Sequence, residues 1–293
     1  MGKRRIVQGV FGPGSRHWVG DGFPVSNMFP SNGLDKEMDP FLMLDYAGPY
    51  EFEPSNQPRG VGEHPHRGFE TVTIAYQGSV AHRDSAGNSG TIHPGDVQWM
   101  TAASGVVHEE LHDPDFTKAG GLFEMVQLWV NLPAKHKMSA PRYQGISSRQ
   151  IPIAELGNGA YARVIAGELA GVTGPALTVT PIQVCDLRLS AGNRVEFPVA
   201  AGHNAAFVVL QGELVLNDVH EIDSAHLALL GHDGGSVLVE AKRDSTVLFL
   251  SGEPIGEPVA SRGPFVMNTE AELREAILDY RAGKMGHLAD SAS

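Results

Sequence analysis

Short stretches that alternate apolar and polar residues, cut at close intervals by glycine and proline, fill most of this 293-residue chain. The segments 71–84, 96–102, 123–132, 205–218, 236–241 and 245–252 read this way, rich in β-branched and aromatic residues. Between them stand turn signals such as SAGNSG, HPGD, LSAGN and HDGG. A strand puts every second side chain on one face, so this pattern needs a second layer to cover it. Many such strands predict an antiparallel sandwich or barrel. Glycine takes 35 positions and proline 19, with glycine well above the roughly 7% of an average chain.

The length suits two domains. The proline-rich stretch 133–160 reads as the connection between them, which predicts domains over 1–140 and 141–293. An internal echo points the same way: YQGSVAHRD at 76–84 resembles LQGELVLND at 210–218, each a strand, a glycine turn and a strand. One helix is predicted at the C-terminus, where Thr269 and Glu272 form a capping box and Leu273, Ile277 and Tyr280 follow at helical spacing. Gly283 and Gly286 lie past its last turn, and the tail ADSAS reads as frayed.

Charge and cysteine content narrow the function. The net charge of -12 repels phosphate backbones and argues against direct nucleic-acid binding. The single cysteine, Cys185, excludes a disulfide framework and a Cys-rich metal site, and is read as inert core. Lys3-Arg4-Arg5 reads as a solvated terminus; the following IVQGVFGPG is too short and glycine-rich for a signal peptide. No apolar run is long enough to span a membrane. With one cysteine and no leader, the expected location is cytoplasmic.

Six of the 13 histidines fall between His64 and His112. His64 and His66 stand at i, i+2, which on a strand puts both imidazoles on one face. Pro65 between them cannot donate to a sheet ladder, so this strand starts there, lies at an edge or faces an opening. His108 and Glu110 repeat the spacing. Together the two pairs offer three imidazoles and one carboxylate to one divalent transition metal, with positions left for water, oxygen or substrate. Glu109 alternates to the other face. Gln127 and Trp129 share a strand face that can line the interior, Trp129 by packing and Gln127 as a pocket contact. His112 is a candidate to orient a ligand. His82 and His93 read as turn residues, and His203, His220, His226 and His232 as ordinary surface or turn histidines.

The segment HPHRGFETVTIAYQGSVAHRDSAGNSGTIHPGDVQWMTAASGVVHEE resembles the pirin family of the cupin superfamily. So does GEPIGEPVASRGPFVMNTEAELREAILDYRAG at 252–283. The cupin motifs match at Gly60 or Gly62, His64, His66, Glu70 and Gly78, then at Gly95, Asp96, Gly105 and His108; the proline of the second motif is absent. The resemblance implies an all-β bicupin, two double-stranded β-helix barrels with a short C-terminal helix, metal being held in the first barrel alone. It implies one iron(II) on His64, His66, His108 and Glu110, with Ni, Cu, Co, Mn or Zn as alternatives. The ordinary cupin pattern would use Glu70 instead of Glu110. The implied activity is that of a quercetin 2,3-dioxygenase, an oxidoreductase opening small aromatic, flavonol-like substrates with O2, with Glu110 as catalytic base. The alternative is a metal-dependent regulatory protein acting on a protein partner, like a transcription cofactor, without turnover. A sugar-phosphate enzyme or isomerase would need more basic residues near the site than Arg67 and Arg83.

Overall fold

The computed structural model describes residues 2–288; the tail ADSAS lies outside the described residues. The chain forms two compact units, and each is assembled from three separate segments. One unit takes residues 16–26, 43–148 and 255–293; the other takes 1–15, 27–42 and 149–254. A single cut near residue 140 therefore misses that the ends of the chain are exchanged: the N-terminal strand joins the unit of the second half, and the C-terminal helix joins the unit of the first.

Both units follow one plan, a seven-stranded sheet with a four-stranded sheet. In the unit that carries the histidine pairs, the larger sheet runs in the order Arg142–Ile146, Val97–Thr101, Phe69–Gln77, Gly121–Asn131, Phe41–Phe52, Phe23–Phe29, His17–Val19. The smaller runs Gly60–His66, Val106–His112, Val80–Asp84, Ser89–Ile92. The internal echo falls on corresponding places. Phe69–Gln77 turns into Val80–Asp84 in one unit, and Asn204–Gln211 turns into Glu213–Leu216 in the other. The stretch 133–160 is more than a connection: Arg142–Ile146 and Ile153–Gly157 each form an edge strand.

Alternation explains the cores. In the unit built on residues 149–254, Phe197, Phe207 and Phe249 meet at ring distances of 4.6–5.4 Å inside a shell of Val, Leu and Ala. Cys185 belongs to this core and burial pushes its thiol pKa up, as an inert residue requires. Arg5, read as solvated, is fully buried. Its guanidinium donates to the carbonyls of Ala200, His203, Gly231 and Gly234, which satisfies a charge that burial would otherwise make costly.

The C-terminal helix spans Glu270–Arg281. Thr269 Oγ1 accepts from the Glu272 backbone N–H at 3.2 Å, and the Glu272 carboxylate accepts from the Asn268 N–H at 3.1 Å. The buried stripe is Leu273 and Ala276, whereas Tyr280 stays exposed. Both buried residues pack with Val107, Phe265, Met267 and Met285. No helix among the described residues is long and apolar enough to cross a membrane.

Candidate metal centre

Two neighbouring strands of the four-stranded sheet carry the histidines. Gly60–His66 is its edge strand, the place where Pro65 is tolerated. It pairs antiparallel with Val106–His112, and His64 stands directly across from His108. The register then shifts between His108 and Glu110, which faces Val61. Ring centroids lie 4.9 Å apart for His64 and His66, 4.3 Å for His64 and His108, and 4.8 Å for His66 and His108. One nitrogen from each of the three lies within 4.8 Å of the others.

The electrostatics suit a cation. Burial, then the neighbouring His64, pull the His66 pKa down to about 3, against a smaller opposing effect of a backbone hydrogen bond with Pro264. Burial and the surrounding histidines hold His108 well below the ordinary range too. Both rings are therefore neutral at pH 7, the form that offers a lone pair to a metal. His64 Nδ1 is 2.8 Å from the Gly62 carbonyl, which leaves its other nitrogen free. His66 Nδ1 and His108 Nε2 are buried with no hydrogen-bond partner. Buried polar atoms are rarely left so. Two neutral imidazoles with unanswered nitrogens, and a third imidazole beside them, fit a divalent transition-metal ion.

Glu110 lies beside this cluster, on the wall of the same cavity as His64 and His66. The larger sheet supplies its partners. Gln98, Thr73 and Gln127 are directly opposed on three adjacent strands. Gln98 Nε2 lies 3.3 Å from Glu110 Oε1, and Gln127 Nε2 lies 3.3 Å from Glu110 Oε2. Thr73 Oγ1 sits 2.6 Å from Gln127 Oε1 and 3.1 Å from Glu110 Oε1. Glu70 belongs to the other face of its strand, opposite to Thr71 and Thr73. It is buried there and accepts from Thr101 Oγ1 at 2.6 Å. Burial raises its pKa, against the hydrogen bonds of Thr101 and Trp99.

The cavity has a volume of about 290 Å³, near the lower end of the roughly 300–1,000 Å³ usual for small-molecule sites. Phe23, Val25, Met43, Met125 and Trp129 give it apolar walls, and Asp45 and Gln127 are polar points among them. Trp129 thus faces the cavity besides packing on Phe69 at 4.3 Å between ring centroids. Pro264, from the C-terminal segment, completes the wall.

Two supports of the site correct the sequence reading or escape it. His82 is no turn residue. It is buried in strand Val80–Asp84, 3.3 Å from His108 Nδ1 and stacked on Tyr143. Its i, i+2 relation to Asp84 was a readable signal, the third such pair in this sheet. Burial raises the Asp84 pKa, but hydrogen bonds with His82 and Asn88 outweigh it and leave the carboxylate below its usual range. The second support comes from the C-terminal segment. Arg67 donates to Asp279 at 2.9 Å and to the Ser104 carbonyl at 2.6 Å. Lys137 donates to the carbonyls of Gly68 and Val266. No sequence signal links residues so far apart. His112 bonds the Gly22 carbonyl and packs on Phe52 and Phe123, away from the three histidines. His93 is a turn residue, with Nδ1 3.0 Å from Ser79 Oγ. In the other unit His203 sits 3.1 Å from Ser251 Oγ, and His226 2.9 Å from the Ser224 carbonyl.

Comparison with known proteins identifies the family and the fold. Residues 22–130 match the Pirin family model, and residues 184–286 match that of the Pirin C-terminal cupin domain. A Pseudomonas aeruginosa protein named "Putative quercetin 2,3-dioxygenase" is 51% identical over 279 residues, 95% of this chain and 97% of that one. Human pirin is 39% identical over 257 residues, 86% of this chain and 84% of that one. The crystal structure of a quercetin 2,3-dioxygenase from Acinetobacter baumannii, 49% identical, superposes with a TM-score of 0.95 over 98% of this chain and 100% of that one. The chain belongs to the pirin family, and its fold is that of a bicupin.

Proposed function

We propose that this chain is a metal-dependent dioxygenase of the quercetin 2,3-dioxygenase type, acting on a flavonol-like small molecule with O2. The observation that carries the reading is a cluster of three histidines with a fixed carboxylate beside it, two of the rings and the carboxylate lining one apolar cavity. The names of the similar Pseudomonas and Acinetobacter proteins support the substrate class. His64, His66, His108 and Glu110 would hold the ion. Iron(II) is the expected metal, with Ni, Cu, Co, Mn and Zn as alternatives for an imidazole-rich set. A cytoplasmic location suits a chain with one buried cysteine.

When bound, the ion supplies a positive centre that lowers the pKa of a hydroxyl placed against it and offers redox chemistry with oxygen. The protein supplies the rest. Trp129 and Phe23 give flat apolar walls for an aromatic ring system, and their side chains keep water out. Gln98 and Gln127 hold both oxygens of Glu110 from the facing sheet. A carboxylate fixed in this way accepts the proton from the substrate hydroxyl at Oε1 or Oε2. Orientation is thereby set before substrate enters, which is where such a site gains most.

Aerobic incubation of iron-loaded protein with quercetin tests the reading. Loss of the flavonol absorbance band is expected, with evolution of carbon monoxide, and neither in His66→Ala. Metal-loaded protein no more active than that variant would overturn the enzymatic reading and leave the regulatory one.

A further inference from the structure

The strand Val80–Asp84 lies against the side of Val106–His112 that Gly60–His66 does not cover. His108 stands across from Asp84, and Glu110 across from His82. The side chains form a continuous row. Asp84 Oδ2 lies 3.3 Å from His82 Nε2, and His82 Nδ1 lies 3.3 Å from His108 Nδ1. All three residues are at most 5% exposed. Asp84 is itself fixed: its Oδ1 accepts from the backbone N–H groups of Ala86 and Asn88, and the Asn88 side-chain amide donates to both oxygens.

With one hydrogen on each ring, the donor and acceptor capacities allow one order along this row. An ionised carboxylate only accepts, so His82 Nε2 carries the hydrogen. In a neutral ring the other nitrogen then holds a lone pair. Two facing nitrogens need one hydrogen between them, so His108 Nδ1 carries it. That leaves the lone pair of His108 on Nε2, the atom that is buried and unpartnered. We propose that Asp84 and His82 are positioning residues that lock His108 in the tautomer whose Nε2 faces the metal. This inference rests on the metal reading of the site. A carboxylate orienting a ligand histidine directly is a common arrangement; here a second histidine is interposed and is held flat by Tyr143, stacked at 5.0 Å and 12° between planes. Tyr143 also donates to Gln98 Oε1 at 3.3 Å, so one side chain braces the supports of both His108 and Glu110.

Asp84→Asn is the discriminating variant. Its carbonyl oxygen still caps Ala86 and Asn88, but its NH2 group turns a donor toward His82. Both tautomers then reverse, and His108 Nε2 becomes an N–H that must give up its hydrogen before it binds a cation. Histidine 15N NMR of the metal-free full-length protein reads the tautomer, and titration with cobalt(II) reads affinity. The expected wild-type spectrum shows His108 with unprotonated Nε2. In Asp84→Asn the assignment reverses and cobalt binds about 10–100-fold more weakly, the size of effect usual for a group that orients a ligand. Should that variant not fold, His82→Phe keeps the stack on Tyr143 and removes the acceptor, with the same loss of affinity expected. A wild-type His108 protonated at Nε2, or unchanged cobalt affinity in a folded variant, would overturn the positioning role. A wild-type protein that binds no cobalt would instead sink the metal reading beneath it, whatever tautomer the spectrum shows.

Discussion

Gln127 Nε2 donates to Glu110 Oε2 at 3.3 Å, tying the carboxylate of one sheet to the centre of the sheet that faces it. The contact gives Gln127 a role that its strand neighbours Val126 and Leu128, fully buried on the other face, do not share. Gln127→Ala is expected to weaken metal binding about 10–100-fold, as loss of an outer support does. Met43→Ala, on the cavity wall, is expected to raise KM for the flavonol and to leave metal affinity unchanged. Metal titration and steady-state kinetics on both variants check this.

Glu70 and Glu110 are separated by the alternation of one strand. Glu70 shares its face with Thr101 and Trp99, whereas Thr73 reaches the Glu110 side. Glu70→Gln should retain full metal stoichiometry. Glu110→Gln should weaken the metal and abolish turnover. Elemental analysis of the two purified variants decides between the carboxylates, and the opposite pattern would assign the ligand to Glu70.

Much of this was legible in the sequence because it depends on local periodicity. The i, i+2 spacing brings His64 to His66, and pairing of adjacent strands adds His108 to them. The capping box at Thr269 marked the helix start correctly. What escaped depends on contacts between distant segments. Pro264 on the cavity wall and Asp279 beneath Arg67 arrive from residues 255–293, which no local pattern assigns to the first barrel. His82 differs from the turn residue its neighbourhood suggests, because the hairpin turn begins only after Asp84. A basic N-terminus normally stays in solvent, whereas four backbone carbonyls receive Arg5 here.

Acid should destabilise the metal-free protein in a defined window. The His66 pKa falls from 6.5 to about 3 on folding, and His108 moves the same way. The unfolded chain therefore takes up these protons first as the pH falls. Their contribution to stability is complete above about pH 6.5 and is lost progressively towards pH 3. Metal binding to neutral imidazoles steepens this dependence. Thermal melts of metal-free and metal-loaded protein between pH 7.5 and 4 measure it; melting temperatures that do not decline would contradict it.

Asp279 receives Arg67 at 2.9 Å and Lys284 at 2.7 Å. Arg67 follows His66 directly in the chain, so the helix Glu270–Arg281 anchors the end of the strand that carries His64 and His66. Asp279→Ala leaves the buried guanidinium without its carboxylate, a strongly unfavourable state. It is expected to lower the melting temperature by several degrees and to weaken metal binding. Differential scanning calorimetry with a cobalt(II) titration checks both, and unchanged values would show the helix to be energetically separate from the site.

Metal stoichiometry tests the central claim most directly: that His64, His66 and His108 hold one ion. Elemental analysis of the purified full-length protein should give one divalent transition-metal ion per chain. His108→Ala, folded by circular dichroism, should give none. A metal-free wild-type protein that cannot be reloaded, or a His108→Ala variant with full occupancy, would contradict the assignment.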